Sequence, residues 1–254
     1  MRYLDVLELI KQTGQDHEYI LENATDSAVL TTALQKLPSL SEFIFRLHWS
    51  GFYLSGKLGW MVDCIWYGQA ALDIRYGPHH LAICLQALSS SQFSSRPVTN
   101  FKVVNCEYAL NLRPNQINLL RKAFANIETL TLESSDYGFE YLVEKRVDMP
   151  ALKKLVIMSE DYGIDIGELE EFCKRNGRHL ELLHLDCAIY RDKEEADHRY
   201  PYLLSTLQKL HRIGEYCALR EAILKSSYHD HDTKMEALLL GNIAYEDIES
   251  TFKR

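Results

Sequence analysis

The feature of this sequence that most limits its fold is a short apolar pattern that recurs along the chain. Each copy has one apolar residue, two variable positions, a second apolar residue, one variable position and a third apolar residue. The last two apolar positions alternate as they do in a strand that buries one face. Five copies are present, and they start at Leu40, Val98, Ile127, Leu152 and Leu180.

The spacing of these copies predicts repeated strand-and-helix units. After Phe101, the central apolar residue of each copy follows at intervals of 29, 25 and 28 residues, at Leu130, Leu155 and Leu183. The interval of 58 residues from Phe43 to Phe101 corresponds to two such periods, with room for either one degenerate repeat or a long insertion. A period of this length is typical of leucine-rich repeats, in which each unit has one strand and one helix.

The segments before the strands have the spacing of helices, since apolar residues recur there three and four positions apart. Pro38 and Pro150 each stand just before a strand copy, where proline ends a helix without removing a sheet hydrogen bond. Asn176-Gly177 is suited to the same role before the fifth copy. Helices that alternate with strands predict an α/β fold with a parallel sheet, and stacking of the units is needed to bury each apolar face.

We expect one domain over residues 1–254, in which the repeats are clearest at 26–190. Residues 50–77 are predicted to be an insertion loop, and residues 186–201 are expected to be irregular. A weak repeat or a cap is expected at 200–254. In that last part, the copy that starts at Met235 fits the strand pattern better than the copy at Leu219. Residues 225–234 are predicted to be a loop, and residues 244–254 to be either a short helix or disordered.

The order of helix, Leu-Pro or Met-Pro turn and strand copy resembles a leucine-rich repeat. The irregular unit lengths resemble the divergent repeats of fungal F-box-type proteins, most clearly in Asp26–Phe45 and His79–Cys106. Cys106 alone falls where that family has Asn or Cys. The resemblance implies a solenoid with a curved parallel sheet and helices on its convex side. It also implies a role in recognising a protein, as in the substrate receptors of ubiquitin ligases.

The resemblance does not extend to an F-box. The family pattern begins with Leu-Pro and an acidic-apolar helix near the N-terminus, whereas the first Leu-Pro here, Leu37-Pro38, already belongs to a repeat. Binding to a Skp-type adaptor is therefore not expected.

Composition limits the possible partners. The chain has 28 Lys and Arg against 36 Asp and Glu, a formal charge of −8, so the basic surface that nucleic acid requires is not expected. No run of about 18 apolar residues is present to span a membrane, and the N-terminus lacks the features of a signal peptide. The six cysteines form no CxxC pair, which favours reduced thiols and a cytoplasmic or nuclear location.

No common catalytic motif is present, and the clusters of polar residues have simpler interpretations. The densest cluster, Tyr228–Asp232, favours a solvated loop over a metal site. His79-His80 favours the entry of a helix. The acidic residues of Asp161–Glu171 suit the positive end of a helix better than acid–base catalysis. We therefore expect no catalysis, no cofactor and no metal.

The remaining hypothesis is a binding surface on the sheet. In each strand, the residues between the apolar positions face away from the core, and they mix apolar, cationic and hydroxyl groups as protein-binding faces do. An equally weighted alternative is that this face is solvated or covered by the chain's own loops. The residues predicted to contact a protein partner are Ile44, Arg46, Lys102, Thr131, Val156 and His184.

Two other functions remain open from the sequence. One is a small enzyme whose site lies near the 50–77 loop, where Asp63, Cys64, His79 and His80 are close in sequence. The other is a structural or regulatory subunit that docks permanently on a larger complex through an apolar patch.

Overall fold

The computed structural model of this protein has one parallel sheet, with helices between its successive strands. Residues 50–77, which are predicted to form an insertion loop, lie outside the described part of the chain. The structure describes residues 25–37, 40–46, 78, 80–89, 98–104, 110, 112–133, 136–190, 199–225 and 231–252.

Within these residues, all the strands belong to a six-stranded parallel sheet whose strand order follows the chain. The α/β class and the parallel sheet predicted from the sequence are therefore confirmed. The sheet is open and not curled, so it does not confirm the curved solenoid. The strands are β1 (Glu42–Arg46), β2 (Asn100–Val104), β3 (Thr129–Glu133), β4 (Lys154–Asp165), β5 (Leu182–Tyr190) and β6 (Glu221–Leu224).

The helices form where apolar residues recur at helical spacing. The third helix, for example, buries Leu120 and Phe124, which are four residues apart, and follows a 3₁₀ turn that begins at Pro114. The helices are α1 (Thr25–Gln35), α2 (described at residue 78 and over 80–88), α3 (Ile117–Phe124), α4 (Asp136–Glu144), α5 (Ile166–Asn176), α6 (Arg199–Tyr216), α7 (Asp232–Leu239) and α8 (Tyr245–Phe252).

The register of the sheet aligns the repeated apolar residues. The central residue of each copy pairs with the central residue of the next, and the third apolar residue does the same. The five segments predicted to be adjacent parallel strands are thus confirmed as such. The first apolar row is Phe43, Phe101, Leu130, Leu155 and Leu183, and the second is Phe45, Val103, Leu132, Ile157 and Leu185.

The two apolar rows and the helices form one hydrophobic core. Phe101 is buried and its ring lies 5.0 Å from that of Phe124 on α3, while Phe139 on α4 lies 5.2 Å from Phe172 on α5. Parallel strands that follow one another across a sheet have right-handed crossovers, which place all the connecting helices on one face. Burial of each large apolar side chain contributes about 1.5–3 kcal/mol, so this face supplies most of the stability.

A repeated hydrogen-bond pattern joins the starts of the strands. At every step from β1 to β6, two consecutive backbone amides donate to a single carbonyl oxygen of the preceding unit, at distances from 2.7 to 3.1 Å. The amides of Glu128 and Thr129, for example, both donate to the carbonyl of Thr99. The same backbone geometry therefore recurs in each unit, although the units differ in length.

Polar side chains join neighbouring units on the helix side. The Tyr141 hydroxyl donates to the carbonyl of Leu112 at 2.7 Å. Burial, and to a lesser extent the carboxylate of Glu144, raise the pKa of Tyr141, so this hydroxyl stays protonated as a donor. Asn176 is 4% exposed; its Oδ1 accepts from the amide of Met149 and its Nδ2 donates to the carbonyl of Val147.

The last unit differs from the sequence prediction. The segment at Leu219, which is the poorer match to the strand pattern, supplies β6, whereas Met235 and Leu238 are buried residues of α7. Because residues three apart lie on one face of a helix, the copy at Met235 fits a helix as well as a strand. The preference for this copy as a strand was therefore wrong.

A side chain of α7 caps one backbone group at the β6 end of the sheet. The amide of Leu224 in β6 donates to Oε1 of Glu236 in α7 at 2.7 Å. This bond satisfies a backbone group on an edge strand that would otherwise be available for another strand. Helix α7 begins at Asp232, so the predicted loop at 225–234 is wrong over its last residues, while helix α8 confirms the helical alternative for 244–254.

The charged segment 186–201 is more regular than expected. Residues 186–190 continue β5, and residues 199–201 begin α6, while residues 191–198 lie outside the described part. Strand β4 is also longer than predicted, and its pairing with β5 shifts between Met158 and Gly163 before it resumes. This irregularity accommodates extra residues in β4.

Asn176→Ala tests the polar link between units. The substitution leaves the buried amide of Met149 without its acceptor, so we expect a loss of about 1–3 kcal/mol in the free energy of unfolding, measured by urea denaturation. Asn126→Ala is the matched control, since Asn126 is exposed. Equal stabilities of the two variants would contradict this role of Asn176.

Candidate protein-binding face

The face of the sheet opposite the core carries a straight line of side chains, one from each strand. The register pairs Ile44 with Lys102, and the same row continues to the other end of the sheet. With strands about 4.8 Å apart, the row is roughly 24 Å long. We call it the central row, and it consists of Ile44, Lys102, Thr131, Val156, His184 and Ile223.

The register brings together five of the six residues predicted to bind a partner. Arg46 lies outside the central row, because it pairs with Val104 in the next row. Val104 is 3% exposed, whereas Arg46 is exposed. Ile223 is not among the predicted residues, because the segment that carries it matches the apolar strand pattern poorly.

The side chains of the central row are exposed to solvent to different degrees. Ile44 is 53% exposed, one of the most exposed large apolar side chains in the described part of the chain. Thr131, Val156, His184 and Ile223 are partly exposed. These side chains thus offer apolar surface and hydrogen-bonding groups that the helices do not cover.

Charges on this face are largely compensated within the sheet. Nζ of Lys102 lies 2.5 Å from Oε2 of Glu133, and Nζ of Lys225 lies 2.8 Å from Oδ2 of Asp186. Such partly exposed ion pairs contribute little stability, about 0–1 kcal/mol each, but they reduce the electrostatic field at this face of the sheet. Lys154 is exposed and forms no ion pair among the described residues.

His184 occupies a special position in the central row. It lies between Val156 and Ile223, and its Nε2 is buried without a hydrogen-bond partner among the described residues. An imidazole nitrogen in such a place can donate or accept a hydrogen bond, depending on its tautomer. Cys187 is buried and three positions further along the strand, so it points to the other face and cannot pair with His184.

At the start of α5, Asp165 and Glu168 lie where the sequence predicts acidic residues, at the positive end of a helix. Oδ1 of Asp165 accepts from the amides of Gly167 and Glu168, at 2.6 and 3.0 Å, and so caps the helix. Glu170 forms two hydrogen bonds with Arg212 on α6. These carboxylates therefore hold helix ends and neighbouring helices together.

The other candidates for chemistry lie mostly outside the described residues. This applies to Asp63, Cys64 and His79, whereas His80 is exposed in the first turn of α2. In the Tyr228–Asp232 cluster, only His231 and Asp232 are described, at the start of α7. Among described residues, no group of three or more His, Cys, Asp or Glu side chains could hold a metal ion.

No helix in the described part of the chain has both the length and the apolar character needed to cross a membrane. Comparisons of the chain with protein-family models, with curated proteins and with solved structures find no match.

Two single substitutions at neighbouring positions test which face of the sheet is exposed to solvent. Leu155 is 0% exposed and Val156 is partly exposed on the opposite face. We expect Val156→Lys to change the free energy of unfolding by about 1 kcal/mol or less. Leu155→Lys should cost more than about 4 kcal/mol, because it buries an unpaired charge. Chemical denaturation measures both values, and similar losses for the two variants would show that the face is covered.

Proposed function

We propose that this protein is a non-catalytic protein-binding module of the leucine-rich-repeat type, which binds its partner through the central row. The observation that carries the proposal is the register itself. It lines up Ile44, Lys102, Thr131, Val156 and His184 on a sheet face that the connecting helices leave uncovered. A continuous line of mixed polarity on a rigid scaffold suits protein recognition.

Three observations support the solenoid part of the proposal. The strands follow the chain order, the same hydrogen bonds recur at the start of each strand, and the two apolar rows of the core lie on the same face of the sheet. Units arranged in this way contact mainly their neighbours, as repeats in a solenoid do. The lengths of the units vary because their loops and helices differ, while the strand geometry stays constant.

The charges of the sheet face indicate what kind of partner it suits. Four cations and four anions lie in the central row and in the rows directly beside it, so the charges of these rows cancel. A polyanion such as nucleic acid is therefore a poor partner, and the apolar residues favour a folded protein with a largely uncharged contact strip. The cations are Arg46, Lys102, Lys154 and Lys225, and the anions are Glu42, Glu133, Asp186 and Glu221.

The resemblance to F-box-type proteins favours one version of this role, in which the partner is a substrate of a ubiquitin ligase. In this version the central row selects the substrate, and a separate subunit or segment provides the link to the ligase. Adaptor binding forms no part of the proposal.

Site-specific crosslinking tests where a partner binds. A photoreactive amino acid is placed at Thr131 or Val156 in the central row, or at the exposed helix positions Lys122 and Glu171 as controls. We expect a discrete crosslinked protein from the central-row positions in cells, and none from the helix positions. Equal crosslinking from both faces would contradict the assignment of the site.

The purified partner then allows a quantitative test. We expect Val156→Glu to weaken binding at least about tenfold, or about 1.4 kcal/mol, because it places an unpaired carboxylate in the interface. Glu171→Lys, on an exposed position of α5, should leave the Kd within about twofold. Isothermal titration calorimetry measures the two constants, and an unchanged Kd for the Val156 variant would refute the proposed contact.

A further inference from the structure

Two cysteines that are distant in sequence meet where α5 and α6 end. Cys173 lies in the last turn of α5 and is 0% exposed, while Cys217 follows the last residue of α6 and is partly exposed. Their side chains are hydrogen-bonded to each other. Both are free thiols, so two sulfur atoms are held side by side with no covalent bond between them.

The surrounding backbone holds this arrangement in place. A Cβ atom added to Gly177 would lie 2.5 Å from Sγ of Cys217, so the thiol occupies the space that the absent side chain leaves. The amide of Gly177 donates to the carbonyl of Cys173, and the amide of Cys217 donates to the carbonyl of Ile213 at 3.1 Å. Each cysteine is thus held at a hydrogen-bonded helix end, with the thiol of Cys217 against the backbone turn that ends the helix of Cys173.

We propose that Cys173 and Cys217 are a redox-active pair that forms a reversible disulfide with a small disulfide oxidant such as oxidised glutathione. The thiolate of Cys217, the more accessible of the two, attacks one sulfur of the oxidant, and one glutathione thiolate leaves. The thiolate of Cys173 then attacks Sγ of Cys217, and the second glutathione thiolate leaves. Each cysteine loses one proton and one electron, and the oxidant is reduced to two thiols.

The environments of the two thiols fit this order of events. The hydrogen bond to Cys217 and burial in the core raise the pKa of the Cys173 thiol, so it is a poor first nucleophile. Once Cys217 carries the glutathione, its sulfur becomes the electrophile beside Cys173. Because the two side chains are in contact, the second attack is favoured over attack by a thiol from solution.

The disulfide between Cys173 and Cys217 would restrain the part of the sheet that contains β5 and β6. It closes a loop from residue 173 to residue 217 that contains β5, the strand of His184, and α6. It also tethers the segment that leads directly into β6 and Ile223. Oxidation therefore stabilises one end of the central row without any change in its side chains.

Mass spectrometry of the full-length protein tests the pair directly. The protein is equilibrated in a glutathione buffer of defined potential, alkylated and digested with trypsin without reduction. We expect a disulfide between the peptides of residues 155–174 and 213–220, and its loss on addition of dithiothreitol. We also expect a rise in Tm of roughly 5–10 °C in the oxidised protein, since the closed loop restricts the unfolded chain.

Single alanine variants provide the controls. Cys217→Ala should abolish both the linked peptide and the rise in Tm, while Cys187→Ala, at another buried cysteine, should retain both. Two results in the wild-type protein would overturn the proposal on their own, whether or not the variants fold. One is glutathione attached to Cys217 without the linked peptide, and the other is a pair that stays reduced under conditions that oxidise glutathione.

Discussion

Two rows of apolar side chains beneath a parallel sheet determine the rest of this structure. Leu130, Leu155 and Leu183 belong to the first row, and each packs under helices that connect neighbouring strands. No unit encloses this surface alone, so each one depends on its neighbours for the burial that stabilises it. Because the helices lie on the same face as these rows, the opposite face remains uncovered by them. The binding hypothesis is thus a direct consequence of how the core is built.

The strands could be predicted because their signal is local. Alternation with period two and a proline before the strand were enough for the unit at Leu152, since both features lie within a few residues. The strand at Ala222 lacked such a signal. It is a short edge strand with a small residue in the apolar row, and part of its stability comes from Glu236, which accepts a hydrogen bond from Leu224. A contact of that kind cannot be recognised before the fold is known.

The two proposed sites show the same difference between what a local sequence pattern predicts and what only the folded structure determines. Alternation alone placed Val156 and His184 on the face away from the core, but the order of partners across the sheet depends on a register that no single strand contains. The register excludes Arg46 from the central row and adds Ile223 to it. The contact of Cys173 with Cys217 likewise arises from the packing of two helix ends. Residues far apart in sequence become neighbours through the stacking of units. The proposed partner surface and the proposed redox pair both depend on this stacking.

The most direct measurement of the central claim is a set of nuclear Overhauser effects between backbone protons of the deuterated protein in solution. The stacked arrangement predicts effects that connect Leu130 with Leu155, Leu155 with Leu183 and Leu183 with Ala222, in the pattern of parallel strands. Effects that connect strands out of chain order, or in the antiparallel pattern, would contradict the stacking of units and the row of side chains that depends on it.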